Sequence, residues 1–318
     1  MKKIFLAICL ASFTQLYAQN SEPKTLGEHP NVVNGVAITN NGLKIASGST
    51  DETIMVWDVA KAKAEKPYKA HTGAVNCVAF NYVGDLVASG SDDKSAIIWK
   101  VGSGKPLFTC KGHSAPVTAL TFSTDNKFLV TASADKTIRF WDVKTGKMTR
   151  SIKVHDDIVT AITYSPDGKI IATAAAKEIK LWDATTLKPI RTIKEEGTES
   201  YWALAFTKDG KTLASGSGQR GGDGTNSLKL WKVMNGSLIK TLEGHKDAVN
   251  TVIFTTDSKL LLSGGEDNML KVWNAATGEF VKDLNGHTNP VRSVVVSKDG
   301  KTIATGGFDK KIFLFANE

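Results

Sequence analysis

The sequence predicts an all-β fold made of seven repeated units, and two observations lead to that prediction. Six tryptophans and one phenylalanine each close a run of alternating apolar residues, and they recur at intervals of 42, 42, 41, 49, 42 and 42 residues. Asp, Asn and Gly clusters separate the apolar runs and indicate turns. A period of about 40 to 45 residues is the length of one four-stranded blade, so the chain is predicted to form a single seven-bladed β-propeller. The closing residues are Trp57, Trp99, Trp141, Trp182, Trp231, Trp273 and Phe315.

The start of the chain has the layout of a secretory signal. Two lysines precede an apolar run over residues 4–13, and a short polar segment ends at Ala18. The run is too short to anchor the chain in a membrane, since a spanning helix needs about 20 apolar residues. Residues 1–18 are therefore predicted to be a cleaved signal peptide, and residues 19–318 the propeller. The protein is predicted to be exported, to the periplasm or the extracellular medium.

Two details bear on that prediction. Leu16 fits the small-residue preference of cleavage sites imperfectly. A lipoprotein site at Cys9 is disfavoured because Ile8 stands where a small residue is wanted, and a buried N-terminal strand leaves the two initial lysines unexplained. The remaining cysteines, Cys77 and Cys110, fall on the innermost and outermost strands of blade two. They are too far apart to pair, so they are predicted to be free thiols.

The repeats resemble those of the WD-repeat (WD40) family. The resemblance rests on "KGHSAPVTALTF", "EGHKDAVNTVIF" and "NGHTNPVRSVVV" at blade starts and on "FWD", "LWD" and "VWD" at blade ends. It covers essentially the whole chain after the leader and implies a closed ring of seven antiparallel four-stranded blades. With the leader, it indicates an exported, bacterial-type member of the family.

The two ends of the chain are expected to close the ring together. The sequence stops just after Phe315, so the last blade lacks its outer strand. Residues 23–29, "PKTLGEH", resemble "IKTLEGH" at residues 239–245, which forms the outer strand before blade six. The N-terminal strand is therefore expected to complete the last blade, which leaves no large open sheet edge.

The resemblance also implies a buried hydrogen-bonded tetrad of His, Ser or Thr, Asp and Trp in each blade, and such a network must be nearly fully satisfied. Four complete sets are present: His29, Ser47, Asp51 and Trp57; His71, Ser89, Asp93 and Trp99; His113, Thr131, Asp135 and Trp141; and His245, Ser263, Asp267 and Trp273. Three sets are incomplete. Blade seven has Phe315 in place of the Trp, blade four has His155, Thr173 and Trp182 but no Asp in its turn, and blade five has Gly197 in place of the His.

The tetrads account for all six histidines of the chain. No histidine is left for a catalytic triad or a metal cluster, so the sequence favours a protein that is not an enzyme and has no cofactor and no metal. An enzyme that uses carboxylates around the central channel, or a small-molecule binder there, is the alternative. Nucleic-acid binding is disfavoured because basic residues are not interleaved with exposed aromatics.

Blade five departs most from the repeat, because residues 218–226 enlarge the loop between its second and third strands. In the family this loop lies on the narrow face, where partners usually bind. The family's positions around the central opening carry mainly small or neutral residues in blades one to four, whereas large and charged residues cluster in blades five to seven. The predicted partner-binding residues are Trp202, Arg220, Glu266, Arg292 and Phe308. Two alternatives remain: Trp202 packs under the loop, or Arg292 merely pairs with Glu266.

The opposite face is predicted to be basic, consistent with the formal net charge of +8. The lysines expected there are Lys61, Lys63, Lys105, Lys147, Lys169, Lys211 and Lys301. Solvation is their first explanation, and weak contact with an anionic envelope polymer or lipid surface is the second. The sequence as a whole favours an exported, non-enzymatic scaffold that binds a protein or peptide through its narrow face.

Overall fold

The computed structural model describes residues 22–194, 200–221 and 227–316, and every regular element within them is a β-strand. The strands form seven antiparallel sheets, six of four strands and one of five. The predicted all-β, seven-bladed propeller is confirmed. The predicted signal peptide, Gly197 and residues 222–226 lie outside the described residues.

The first three blades follow directly in chain order. Their strands, after the N-terminal β1 (Lys24–Glu28), are β2 (Val33–Ile38), β3 (Lys44–Ser49), β4 (Thr53–Asp58), β5 (Lys63–Ala64) and β6 (Tyr68–Lys69) in blade one; β7 (Val75–Phe80), β8 (Leu86–Ser91), β9 (Ser95–Lys100) and β10 (Pro106–Lys111) in blade two; and β11 (Val117–Phe122), β12 (Phe128–Ser133), β13 (Thr137–Asp142) and β14 (Met148–Lys153) in blade three. The outer strand of blade one is interrupted, so β5 and β6 each pair separately with β4.

The other four blades repeat this order, and the last has three strands of its own. They are β15 (Ala161–Tyr164), β16 (Ile170–Ala174), β17 (Glu178–Asp183) and β18 (Pro189–Lys194) in blade four; β19 (Tyr201–Phe206), β20 (Thr212–Ser217), β21 (Ser227–Lys232) and β22 (Leu238–Leu242) in blade five; β23 (Val249–Phe254), β24 (Leu260–Gly265), β25 (Leu270–Asn274) and β26 (Phe280–Leu284) in blade six; and β27 (Val291–Val296), β28 (Thr302–Gly307) and β29 (Lys311–Ala316) in blade seven.

The N-terminal strand completes blade seven, as predicted. β1 pairs antiparallel with β29, from Lys24 opposite Leu314 to Glu28 opposite Lys311, and the sheet order is β1-β29-β28-β27. Leu26 of β1 is buried in one cluster with Trp57 of blade one. The strand therefore closes the ring by backbone pairing within blade seven and by apolar packing against blade one.

The hydrophobic core lies between neighbouring blades. Between blades one and two, for example, Ile54 and Tyr68 pack with Val75 and Trp99. Comparable clusters join the other neighbouring pairs around the ring. A blade buries its two faces only against its neighbours, so the ring is stable as a closed unit.

The up-and-down order of the strands places the connections on two opposite faces. The loops that lead into each innermost strand and those between the second and third strands lie on one face, which we call the narrow face. The turns between the first and second strands and between the third and fourth lie on the other, which we call the wide face. Each face therefore carries its own two kinds of connection, which recur from blade to blade.

Candidate functional site

The tetrad of blade one forms a continuous hydrogen-bonded chain. Nδ1 of His29 lies 2.9 Å from Oδ2 of Asp51, and Nε2 lies 2.7 Å from Oγ of Ser47. The indole of Trp57 donates to the same Oγ at 2.8 Å. Because a carboxylate only accepts, Nδ1 of His29 carries the proton, and Nε2 accepts from the Ser47 hydroxyl.

Three other blades repeat this arrangement. Corresponding distances lie between 2.7 and 3.0 Å for His71, Ser89, Asp93 and Trp99, for His113, Thr131, Asp135 and Trp141, and for His245, Ser263, Asp267 and Trp273. Each set joins a narrow-face loop to the second and third strands of its blade. The sets therefore hold the narrow-face loops in place.

Blade four has an acidic member that the sequence analysis missed. Oε1 of Glu178 lies 2.9 Å from Nδ1 of His155, while Nε2 of His155 contacts Oγ1 of Thr173 at 2.8 Å. Trp182 donates to that Oγ1 at 2.9 Å. Glu178 is the first residue of β17, and its longer side chain reaches the position that an Asp in the turn occupies elsewhere. The sequence contains one signal for this contact, because Glu178 directly follows the shortened turn.

Blades five and seven keep part of the set. In blade seven, Nδ1 of His287 lies 2.9 Å from Asp309, and the ring of Phe313 meets the imidazole edge-on with centroids 4.8 Å apart. Phe315, at the tryptophan position, is buried in the core between blades six and seven. In blade five, Trp231 still donates to Oγ of Ser215 at 2.8 Å.

Burial and hydrogen bonding set the charge states in these sets. Burial lowers the pKa of the imidazole against the opposing effect of the neighbouring carboxylate in His29, His71, His113 and His155. Burial alone would raise the pKa of Asp135, but hydrogen bonds from Thr137 and His113 outweigh it and hold the pKa at about 2. Each imidazole is held between a carboxylate and a hydroxyl that also accepts from a tryptophan, and the same set recurs from blade to blade, as expected of a structural network.

A second repeated contact ties neighbouring blades together near the centre of the ring. In five blades, the residue five positions after the His donates its side chain to a backbone carbonyl of the next blade, at 2.5 to 3.1 Å; these residues are Asn34, Asn76, Thr118, Thr160 and Asn250. These residues occupy the positions that the family resemblance places around the central opening, and their side chains join neighbouring blades. We call them the interblade belt.

Blades five and seven carry Trp202 and Arg292 at the belt position, and neither makes that contact. Trp202 donates to the carbonyl of Gly218 at 2.8 Å, within its own blade. Arg292 reaches Asn250 and Glu266 of blade six. These two side chains, from blades on either side of blade six, therefore turn toward one place on the narrow face.

The side chains gathered there form what we call the arginine cluster: Trp202, Arg220, Asn250, Glu266, Arg292 and Phe308. Nε of Arg220 and Nη1 of Arg292 lie 3.1 and 2.9 Å from the same oxygen, Oε1 of Glu266. Both approach that oxygen outside hydrogen-bonding geometry, so these contacts are ion pairs. Both guanidiniums also lie 3.3 Å from Oδ1 of Asn250.

Each arginine of the cluster is stacked on an aromatic ring. The Cζ atom of Arg220 lies 3.8 Å from the ring centroid of Trp202, and that of Arg292 lies 4.3 Å from the centroid of Phe308. Trp202 is half-buried, against both Arg220 and the start of the enlarged loop, whereas Phe308 is 38% exposed. Trp202 thus packs at the start of the enlarged loop, and the structure brings all five residues predicted to bind a partner together.

The cluster itself holds two cations and one anion. Burial lowers the pKa of Arg220 to about 10, helped by the nearby charge of Arg292 and opposed by Glu266. Burial also lowers the pKa of Arg292. Both groups stay charged at neutral pH, and Nε of Arg292 is buried without a hydrogen-bond partner in the described part of the chain.

Both cysteines among the described residues are free thiols, as predicted. Cys77 and Cys110 lie on β7 and β10, at opposite edges of blade two, and burial raises the pKa of both thiols to about 12. Within the described ranges, no group of three or more His, Cys, Asp or Glu side chains is arranged to hold a metal ion. Those ranges also contain no helix long and apolar enough to cross a membrane.

A closed ring of repeated blades, with buried polar sets that hold the loops of one face, defines the class of propeller scaffolds. The chain belongs to the WD40 family. The family model, described as WD domain, G-beta repeat, matches seven segments, at residues 20–58, 63–100, 104–142, 146–183, 187–232, 236–274 and 278–315. WD40 propellers are generally non-enzymatic scaffolds and usually bind protein partners.

Curated relatives match parts of the ring. Protein ROOT INITIATION DEFECTIVE 3 of Arabidopsis thaliana is 34% identical over 80 residues, which are 25% of this chain and 17% of that protein. Nuclear distribution protein PAC1 of Arthroderma otae is 38% identical over 92 residues, which are 28% of this chain and 20% of that protein. The chain thus matches no more than a fifth of the length of either relative.

Proposed function

We propose that this protein is an exported, non-enzymatic WD40 scaffold that binds a protein or peptide through the narrow face of blades five to seven. One observation carries the binding part of the proposal. The side chains at five belt positions join neighbouring blades. Trp202 and Arg292, at the equivalent positions of blades five and seven, instead belong to the arginine cluster beside the enlarged loop. Departures from a structural repeat are expected where a scaffold carries its function.

The composition of the arginine cluster suits a binding site. Trp and Arg are the residues most enriched at binding hot spots, and each arginine here is held by an aromatic ring and by Glu266 before any partner arrives. Preorganised side chains lose less freedom on binding, which improves affinity. Phe308 and Arg220 remain accessible, with 38% of the residue and 40% of the side chain exposed, respectively.

The surroundings of the cluster indicate the charge of the partner. The narrow-face loops within the described residues contain 12 Asp or Glu and six Lys or Arg, with histidines counted as neutral, a net charge of −6. A partner that covers the cluster also lies over this acidic rim. Basic groups at the edges of the partner's contact surface therefore fit the proposal.

The binding test uses single substitutions that spare the fold. Arg220→Ala leaves Glu266 paired with Arg292, and Phe308→Ala removes an exposed ring. The matched control is Arg150→Ala, because Arg150 is also an arginine near an aromatic ring, but on the outer strand of blade three. Proteins captured from envelope and secreted fractions are compared for wild type and the three variants, after each variant is shown to be folded.

The expected result is a partner retained by wild type and by Arg150→Ala but lost with Arg220→Ala and Phe308→Ala. Removing one hot-spot side chain costs about 2 kcal/mol or more, which is at least about 30-fold in Kd for the purified pair. Equal retention by all four proteins contradicts a site on blades five to seven. Capture of nothing specific contradicts the scaffold role itself.

Export is supported by the signal-like layout of residues 1–18. The intact mass of the protein recovered from its native source, together with its distribution between cell fractions, tests this part. A mature chain that begins at Gln19 and is found outside the cytoplasm is the expected result. An uncleaved chain in the cytoplasm contradicts export and leaves the binding proposal to be decided by its own experiment.

A further inference from the structure

The seven turns between first and second strands differ in one blade. In six of them, the hydroxyl of a Ser or Thr donates to an Asp or Asn two residues later, at 2.5 to 2.7 Å: Thr39 and Asn41, Ser123 and Asp125, Ser165 and Asp167, Thr207 and Asp209, Thr255 and Asp257, and Ser297 and Asp299. In blade two the turn is Asn81-Tyr82-Val83-Gly84-Asp85, and Asn81 closes it through Asp85 and two backbone amides. The turn of blade two is therefore closed without the side chains of Tyr82 and Val83.

These two residues form an exposed apolar patch with one neighbour. Tyr82 is 57% exposed, Val83 72% and Leu43 58%. Leu43 occupies the turn position of blade one that carries Lys in five other blades and Asp in blade two. The amide of Asn40 donates to the carbonyl of Tyr82 at 2.6 Å, so the two turns are adjacent. We call Leu43, Tyr82 and Val83 the apolar patch.

The patch lies near the centre of the wide face. Nζ of Lys298, in the corresponding turn of blade seven, lies 2.5 Å from the hydroxyl of Tyr82 and 4.7 Å from its ring centroid. Blades two and seven are separated by blade one, so this contact is possible only where the turns converge on the central opening. The patch is thus at the middle of the face, with a lysine against its tyrosine.

The rest of the wide face is basic. Its turns contain 12 Lys and seven Asp or Glu between the strands, a net charge of +5, whereas the described narrow-face loops carry −6. The outer turn of blade three alone holds two exposed lysines, Lys144 and Lys147. The disc is therefore electrically polar, with its exposed apolar patch on the positive side.

We propose that the wide face docks on the surface of an anionic lipid bilayer, with the Tyr82-Val83 turn inserted among the headgroups. Lysine clusters are attracted to anionic leaflets, and tyrosine suits the interface because it has an apolar ring and a polar tip. Exposed apolar side chains within a basic surface are the combination that interfacial binding requires. A basic face alone would suit any polyanion, but the apolar patch at its centre favours a surface with a hydrocarbon layer beneath.

This orientation leaves the narrow face turned away from the membrane. The arginine cluster then faces the aqueous side, so lipid docking and partner binding use opposite sides of one disc. The two proposals are independent, and either can fail without the other.

The test is sedimentation of the purified protein with phosphatidylcholine vesicles that contain or lack phosphatidylglycerol. Binding is expected only to the anionic vesicles, and it is expected to weaken as salt is raised. The patch variant is Leu43→Lys/Tyr82→Thr/Val83→Asp, in which each new residue already occupies that turn position in other blades and the net charge is unchanged. Its matched control is Ile239→Thr/Val281→Thr, which removes two exposed apolar side chains from the outer strands β22 and β26.

A second pair of variants separates the contribution of charge. Lys144→Gln/Lys147→Gln removes two wide-face lysines, and the control Lys177→Gln/Lys246→Gln removes two exposed narrow-face lysines. At about 1 kcal/mol per lysine near the surface, the first variant is expected to bind about 30-fold more weakly, and the control is expected to bind like wild type. The patch variant is expected to lose about tenfold or more, and the Ile239/Val281 control nothing.

Three results would overturn the proposal. One is no sedimentation with anionic vesicles at low salt, and another is equal binding to vesicles without phosphatidylglycerol. The third is a patch variant that binds as well as wild type, since binding through charge alone makes the wide face a polyanion surface.

Discussion

Glu178 closes the tetrad of blade four, and removing its carboxylate tests how these sets stabilise the ring. His155 is only 2% exposed, and its Nδ1 lies 2.9 Å from the Glu178 carboxylate. Glu178→Ala leaves a buried N–H without an acceptor, at a cost of about 1 to 3 kcal/mol. The lost ion pair with Lys180, at 2.8 Å between partly exposed groups, adds less than about 1 kcal/mol. We expect the free energy of unfolding to fall by about 2 to 3 kcal/mol.

The assay is urea denaturation followed by tryptophan fluorescence, with midpoints and slopes compared between variants. Glu178→Gln keeps an acceptor oxygen for His155 and loses the charge, so we expect it to cost about half as much. Glu279→Ala is the control, because Glu279 is an exposed residue in a wide-face turn. Its expected effect is within about 0.5 kcal/mol.

The result that would refute this reasoning is a cost for Glu178→Ala no greater than that for Glu279→Ala. A titration of His155 by NMR gives a second, independent readout. Glu178 raises the pKa of His155 against the larger effect of burial. The pKa of His155 should therefore fall further in Glu178→Ala, and an unchanged pKa would show that the carboxylate does not act on the imidazole.

Three further predictions concern pH, ring closure and the thiols. The pKa values of His29, His71, His113 and His155 are lower in the folded ring than in the unfolded chain, which takes up protons at these residues near pH 6.5. The free energy of unfolding should therefore fall as the pH drops below 6.5. Urea midpoints that stay constant between pH 7 and 5 would contradict this. A Cβ on Gly27 would lie 2.1 Å from the buried Trp57 ring, so Gly27→Ala should lower the free energy of unfolding by about 1 to 3 kcal/mol and speed proteolysis near the N-terminal strand. Gly102 lies in a surface turn with open space around it but a left-handed backbone, so the control Gly102→Ala should cost about 1 kcal/mol and leave that cleavage unchanged. Cys77 and Cys110, with pKa values raised to about 12, should react with a thiol reagent at pH 8 only after denaturation. Fast labelling of the native protein would contradict the raised pKa values and, for Cys110, its burial.

The exceptions to the repeat are informative because the repeat itself explains so much. A polar residue that recurs at one position in most blades has a role common to all blades, and the tetrads and the interblade belt are such roles. Trp202, Arg292 and the Tyr82-Val83 turn differ from their counterparts, and each makes contacts that its counterparts do not. One group of exceptions lies on the narrow face, where we propose partner binding, and the other lies on the wide face, where we propose lipid docking.

The sequence by itself determined the architecture. A period of about 42 residues, alternating strands and turn residues are local properties, and they predict the number of blades without knowledge of any long-range contact. The similarity of residues 23–29 to an outer strand predicted the closure of blade seven, which the pairing of β1 with β29 confirms. Repetition made these predictions secure, because every blade supplied the same signal.

The tertiary structure decided what each side chain touches. Glu178 replaces an Asp because its longer side chain reaches the same imidazole, and Phe313 meets His287 through its place on β29. Sequence position marked five residues of the arginine cluster, but not Asn250, nor the single Glu266 oxygen shared by two arginines. Such contacts join residues tens of positions apart, often in different blades, so their geometry depends on blade twist, side-chain length and rotamer rather than on any local pattern in the chain.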